Sequence, residues 1–164
     1  MTSALVLYGL QIEAEPGAAL SSAPAVAVEV ARTLAGGSTA QVSVATPGFR
    51  DLRSAVAAAD LVLVVTTGSG PLPRSLADRC ASGLLVGKVT FSLMVGAWTD
   101  GAGSASAAAN ALSRAGATCL APTLQLDPRT DYRHTIATYC RYWAPAVPAL
   151  LTLAAESLPN RAAS

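Results

Sequence analysis

Apolar positions along this chain switch between two periods, and the switches divide it into alternating elements. Short apolar runs occupy Ala4–Tyr8, Gln41–Ala45, Leu61–Thr66, Lys88–Val95 and Ala117–Ala121, and each predicts a strand. Between the first two, Val26, Val30, Ala31 and Leu34 recur at helical spacing, and Gly36-Gly37 closes that helix. Asp51–Ala59 predicts a short helix with Asp51 as N-cap. Pro73–Ala81 suits a helix opening at or just after a proline, where the missing N–H costs nothing. Ala105–Ala115 is an alanine-rich helix that Gly116 stops. Tyr132–Ala155 is a long final helix; Pro145 and Pro148 interrupt it, leaving either two helices or one kinked helix.

Strict alternation of strands and helices predicts an α/β three-layer sandwich, a parallel sheet with helices on both faces. The run Leu61-Val62-Leu63-Val64-Val65 has no polar alternation. A strand of that kind is buried on both faces and belongs in the middle of a parallel sheet. Ligands of such sheets bind outside the carboxyl ends of the strands. The loops leaving those ends are Gly9–Ser22, Thr66–Pro73 and Gly96–Ser104, all rich in small or hydroxyl residues. Small residues let backbone amides approach a ligand, and hydroxyls add donors. Gly9–Ser22 exceeds the usual ~2–6 residues of such a connection, which marks it as functional or disordered.

Composition narrows the classes. The 164 residues are 52% hydrophobic and only 13% charged, against roughly 25% charged in ordinary domains. One domain with a sizeable core is expected, with a partner subunit to cover apolar surface. The net charge of +1 comes with no basic cluster, which argues against nucleic-acid binding. No run of ~18 apolar residues predicts a membrane span, and Met1–Val6 lacks a secretory pattern, so a cytoplasmic location is expected. Cys80, Cys119 and Cys140 are too scattered for a disulfide framework or a zinc site and read as buried small hydrophobes.

Motif chemistry is sparse. Gly68-Ser69-Gly70 lacks the spacing of a nucleophile elbow. Gly87-Lys88 precedes a strand rather than a helix, so this only lysine is structural and not a phosphate-loop lysine. The lone histidine, His134, cannot build a multi-histidine metal site, and no metal is expected. As a general base it would need an orienting partner, for which Asp127 and Asp131 are near in sequence. Tyr139, Tyr142 and Trp143 form a helical stripe beside Cys140 that reads as core packing or as a dimer face.

The chain resembles the flavodoxin-like NAD(P)H-dependent FMN reductases over nearly its full length. Thr66-Thr67-Gly68-Ser69-Gly70-Pro71-Leu72-Pro73 stands where that family has its isoalloxazine loop, with Gly70, Leu72 and Pro73 matching the family's Gly, Ile and Pro. Gly87-Lys88 matches its Gly-Lys, and Gly116-Ala117 matches the Gly-Ala before strand five. Gly96-Ala97-Trp98-Thr99-Asp100-Gly101-Ala102-Gly103 replaces its second glycine-rich loop.

The resemblance implies a five-stranded parallel sheet of order 2-1-3-4-5, bound FMN and an oxidoreductase that takes electrons from NAD(P)H and passes them to a small-molecule acceptor. It also implies a homodimer with flavin near the subunit boundary. The implied cofactor residues are Gly9, Leu10, Ser21 and Ser22 in the first loop and Thr66, Thr67, Gly68, Ser69, Gly70, Pro71 and Leu72 in the second. Gly96, Ala97, Trp98, Gly101 and Gly103 complete the set in the third loop.

Three departures bear on that implication. Leu10 stands where the family has its phosphate-binding serine, and Glu13 and Glu15 lie in a loop that has no arginine. A phosphate needs amides, hydroxyls and positive charge. Ser21 and Ser22 serve either phosphate or helix capping. Gly68 and Ser69 replace a Tyr-Asn pair, which leaves Trp98 as either a stacking face or a packed surface aromatic. The alternative is the same fold without flavin, acting on a small metabolite, with Glu13, Glu15, Asp100 and His134 as the candidate acid/base groups.

Overall fold

The computed structural model describes residues 2–8, 23–46, 48–67, 74–96, 103–127 and 130–157. Along the chain run β1 (Ser3–Tyr8), α1 (Ala23–Leu34), β2 (Gln41–Ala45), α2 (Leu52–Ala58), β3 (Leu61–Thr67) and α3 (Arg74–Ala81). β4 (Val89–Val95), α4 (Gly103–Arg114), β5 (Leu124–Leu126), α5 (Arg133–Trp143) and α6 (Val147–Ser157) follow. The five strands form one sheet of order β2-β1-β3-β4-β5, and every pairing is parallel. Element order, strand order and the parallel sense all agree with the sequence expectation.

The apolar runs explain the layers. Alternation along β3 sends Leu61, Leu63 and Val65 to one face, where they join Ala4, Val6, Phe91, Leu93, Val30 of α1, and Ile136 and Cys140 of α5. Val62 and Val64 point the other way, to Leu5, Leu7, Leu52 and Val56 of α2, Leu76 of α3 and Leu112 of α4. Leu61 through Val65 are all between 0% and 1% exposed, so the missing polar alternation is the signature of double-sided burial. Each such side chain contributes about 1.5–3 kcal/mol by leaving water. Phe91, 0% exposed, stands nearly perpendicular to the rings of Tyr139 and Trp143, both with centroids at 6.4 Å. Two members of the aromatic stripe are therefore core-facing, while Tyr142 is 74% exposed.

The fifth strand departs from expectation. Within Ala117–Ala121 only Thr118 pairs, as an isolated bridge to Val89, and the ladder resumes at Leu124 opposite Leu93. Six residue steps from Thr118 to Leu124 thus face four from Val89 to Leu93, and the surplus must bulge outward. Pro122, which has no N–H to donate, lies in the bulge, and Leu120 is 60% exposed. Side-chain contacts hold the bulge, among them one from the Ser113 hydroxyl to the Cys119 carbonyl at 3.2 Å. The Ser92 and Thr123 hydroxyls are 2.6 Å apart, and the Tyr139 hydroxyl donates to the Pro122 carbonyl at 2.8 Å. The apolar run at 117–121 suggested a strand because sequence carries no trace of this register mismatch.

Two further expectations are refined. Asp51 precedes α2, but its side chain makes no capping hydrogen bond. The final helix is two helices, α5 and α6, joined by a 3-10 turn at Ala144–Ala146 that contains Pro145. Gly36, at φ 110°, ends α1 in a conformation that side chains rarely adopt, as the Gly36-Gly37 pair indicated.

The amino-terminal edge of the sheet is tightly tied. Asp60 accepts from the Ser3 amide and hydroxyl, both at 2.8 Å. The Ser3 amide and hydroxyl, aided by the nearby Lys88, hold the Asp60 carboxyl below its ordinary range despite partial desolvation. Lys88 donates to the carbonyls of Ala57 and Ala59, each at 2.8 Å, and so satisfies the end of α2. The sequence reading of Lys88 as structural agrees with this.

Candidate functional site

Strand register sets the opposite, carboxyl edge. Tyr8 of β1 stands beside Val65, Thr66 beside Met94, and Thr67 beside Val95. Chain order reverses between β1 and β3, since β1 is followed outward by β2 and β3 is followed outward by β4. That reversal is the switch point where open α/β sheets form a crevice.

Four features characterise the edge. The first is Thr66, 6% exposed, whose hydroxyl has no hydrogen-bond partner among the described residues. A buried hydroxyl without a partner is costly and marks a place where a donor or acceptor is missing. The second is Gly96, which leaves β4 at φ 152° while its amide donates to the Leu126 carbonyl at 3.1 Å. A side chain would strain that turn. The third is Tyr8, whose hydroxyl donates to the Pro24 carbonyl at 3.0 Å. This bond pins the start of α1 to the end of β1, and burial raises the phenol above its ordinary value of 10.0, keeping it protonated.

The fourth is electrostatic. α1, α3 and α4 each follow a strand of this edge, so their amino termini point toward it. None has an acidic residue in its first turn. Three positive dipole ends therefore converge on the edge without a first-turn carboxylate to cancel them.

Most sequence candidates fall outside the described residues: Gly9, Leu10, Glu13, Glu15, Ser21, Ser22, Gly68, Ser69, Gly70, Pro71, Leu72, Ala97, Trp98, Asp100 and Gly101. Of the rest, Thr66, Thr67 and Gly96 come together at the edge, and Gly103 is the first residue of α4. His134 stands exposed in the first turn of α5. The Asp131 carboxylate beside it in sequence accepts from the Arg133 amide at 3.1 Å. Among the described residues no cluster of three metal-ligating side chains exists. Tyr8 escaped the sequence reading; its signal was an aromatic with a polar tip as the last residue of an apolar run.

The cysteines behave as small hydrophobes. All three are buried and free, and burial pushes each thiol up to about 11. No described helix is long and apolar enough to cross a membrane. A groove of about 730 Å³ between α1 and α5, floored by Val26, Ile136 and Cys140, lies on the helix layer rather than at the sheet edge.

No family model matches the sequence, and no curated protein matches it. Solved structures do. A short-chain flavodoxin associated with a non-canonical PDU bacterial microcompartment is similar at TM-score 0.64 and 21% identity, covering 92% of this chain and 99% of that one. An NADH:FMN oxidoreductase in its apo form aligns at TM-score 0.57 and 16% identity over 93% of this chain and 89% of its own. The flavodoxin of Fusobacterium nucleatum, solved with flavin mononucleotide bound, aligns at 0.56 and 10% over 91% and 98%. Together with the strand order and the parallel pairings, these likenesses establish that the chain has the flavodoxin-like fold.

Proposed function

We propose that this protein binds FMN at the carboxyl edge of its sheet and works as an oxidoreductase, taking electrons from NAD(P)H and passing them to a small-molecule acceptor. The observation that carries the reading is Thr66, a buried hydroxyl without a described partner at the β1/β3 switch point. A flavin ring offers carbonyl and imide groups to such a hydroxyl. The amino termini of α1, α3 and α4, none of which has an acidic residue in its first turn, favour an anion such as the FMN phosphate. The likeness to flavodoxins and to an NADH:FMN oxidoreductase supports the same cofactor class.

The chemistry such a cofactor supplies when bound is electron exchange between a reduced nicotinamide and an acceptor. The chain's own part is to bind and to orient. Thr66 offers a donor or acceptor, Tyr8 fixes the approach of α1, and Gly96 lets the chain turn close to the edge. No described residue is needed as an acid or base.

Titration of the purified protein with FMN tests the reading. Quenching of flavin fluorescence with saturation at one equivalent, followed by NADH- or NADPH-dependent bleaching near ~450 nm, is the expected result. A protein that leaves FMN fluorescence unchanged at micromolar concentrations refutes it.

A further inference from the structure

We infer that two copies of this chain pair through β2, edge to edge and antiparallel about a two-fold axis, to make one continuous ten-stranded sheet. The inference does not depend on the bound cofactor.

The two edges of the sheet differ in kind. On the β5 side the strand has three residues, is preceded by the bulge that holds Pro122, and runs into Asp127. Shortness, bulges, proline and charge are the devices that keep a sheet edge from pairing with another chain. On the β2 side the strand itself has no bulge, proline or charge, and Pro47 comes only two residues after its end in sequence. Gln41–Ala45 pairs with β1 over its whole length, without a bulge, and its outer backbone groups face away from the sheet. No residue from Thr33 to Phe49 carries a charge.

The apolar surface follows the same division. Val44 is 51% exposed and Phe49 is 47% exposed, both beside this edge. α2 covers the strand incompletely and leaves a groove of about 650 Å³ lined by Gln41, Ser43, Phe49, Ala55 and Ala58. The alanines on that side let another surface come close.

A second copy fits this edge for reasons of symmetry and charge. An antiparallel strand meeting itself across a two-fold axis matches its donors to its acceptors, so the contact closes after two subunits. The uncharged stretch puts no like charges across the axis, where opposed charges would destabilise the pair. Each copy brings Val44 and Phe49 to the same seam. The strand spans only about 17 Å. The interface therefore sits toward the small end of the standard range, and the dimer is reversible on dilution.

Light scattering coupled to size exclusion tests the pairing, on the wild-type protein and two variants over a range of loading concentrations. Wild type should weigh twice the 16.5 kDa chain mass at high concentration and fall toward 16.5 kDa on dilution. Val44→Lys, at a half-exposed position, should stay near 16.5 kDa with unchanged circular dichroism. Leu120→Lys, on the opposite edge, should dimerise like wild type. Ser43→Cys adds the one exposed thiol to a chain whose three cysteines are buried, and it should give an oxidised dimer on a non-reducing gel. A wild-type protein that is monomeric throughout overturns the inference. So does a Val44→Lys variant that still dimerises, which would move the interface elsewhere, for instance to the exposed Tyr142.

Discussion

Replacing Thr66 by valine should move stability and ligand affinity in opposite directions. The change keeps the branched shape and replaces only the hydroxyl of a residue that is 6% exposed, a hydroxyl with no partner among the described residues. Burying a hydroxyl without a hydrogen bond costs roughly 1–3 kcal/mol. The residue keeps slight contact with solvent, so the lower end applies and the ligand-free variant should gain about 1 kcal/mol. For a domain of this length that raises Tm by about 2–4 °C. With FMN the balance reverses: the hydroxyl then has a partner, worth about 1 kcal/mol net. The dissociation constant should rise about fivefold, since 1.4 kcal/mol is tenfold. Differential scanning calorimetry of the apo protein and fluorescence titration of both forms read the two effects. A lower Tm for Thr66→Val would show that the hydroxyl is already satisfied. An unchanged FMN dissociation constant would put the ring away from the end of β3.

Three further outcomes follow from the same geometry. Lys88→Met removes two charge-assisted bonds at the end of α2 and should cost about 1–2 kcal/mol, read as a denaturant midpoint shift with no change in FMN affinity. Tyr8→Phe removes the bond to Pro24 and should cost about 0.5–1.5 kcal/mol; unlike Lys88→Met it should also weaken FMN, because it frees both ends of the β1–α1 connection. The thiols of Cys80, Cys119 and Cys140 are held protonated by burial, to about 11 against an ordinary 9.0. Their folded values lie above the unfolded ones, so their contribution is complete below about pH 9 and is lost as pH rises through about 11. Stability should fall across that window, less steeply in Cys119→Ala, and native protein should resist thiol reagents at pH 8.

The parts of the fold legible in sequence were those written by burial on both faces. β3 declared itself because every residue from Leu61 to Val65 is core, and alternation of elements then fixed a parallel sheet. β5 did not, because its residues obey the same apolar preference inside and outside the ladder; Leu120 is as apolar as Leu124 but 60% exposed. Only the count of steps between Thr118 and Leu124 against β4 decides the matter, and that count exists only in three dimensions. The candidate site is legible as a location, since carboxyl ends of parallel strands follow from topology. Its individual groups are less so. The sequence marks Thr66 only by its place in a loop-like motif, whereas its interest lies in being buried with no partner among the described residues. Sequence shows Tyr8 only as the end of a strand, because its bond to Pro24 spans 16 residues of sequence.

The two ends of the sheet divide the protein's work, and the division bears on where function can lie. At the amino-terminal edge polar groups are matched to one another: the Ser3 amide and hydroxyl to Asp60, and the Lys88 ammonium to the last carbonyls around α2. Such an edge stabilises the fold and offers a ligand little. At the carboxyl edge the accounts stay open, with the Thr66 hydroxyl unmatched among the described residues and three helix amino termini bearing no first-turn acid. Unmatched donors cost stability in the empty protein and return it when a ligand supplies acceptors. A ligand that binds only the folded state adds RT ln(1 + [L]/Kd), about 2.7 kcal/mol at a hundredfold excess over Kd. The same open edge that makes the apo protein less stable than its sheet alone would allow is therefore the reason its stability should respond to a bound anion with a polar ring.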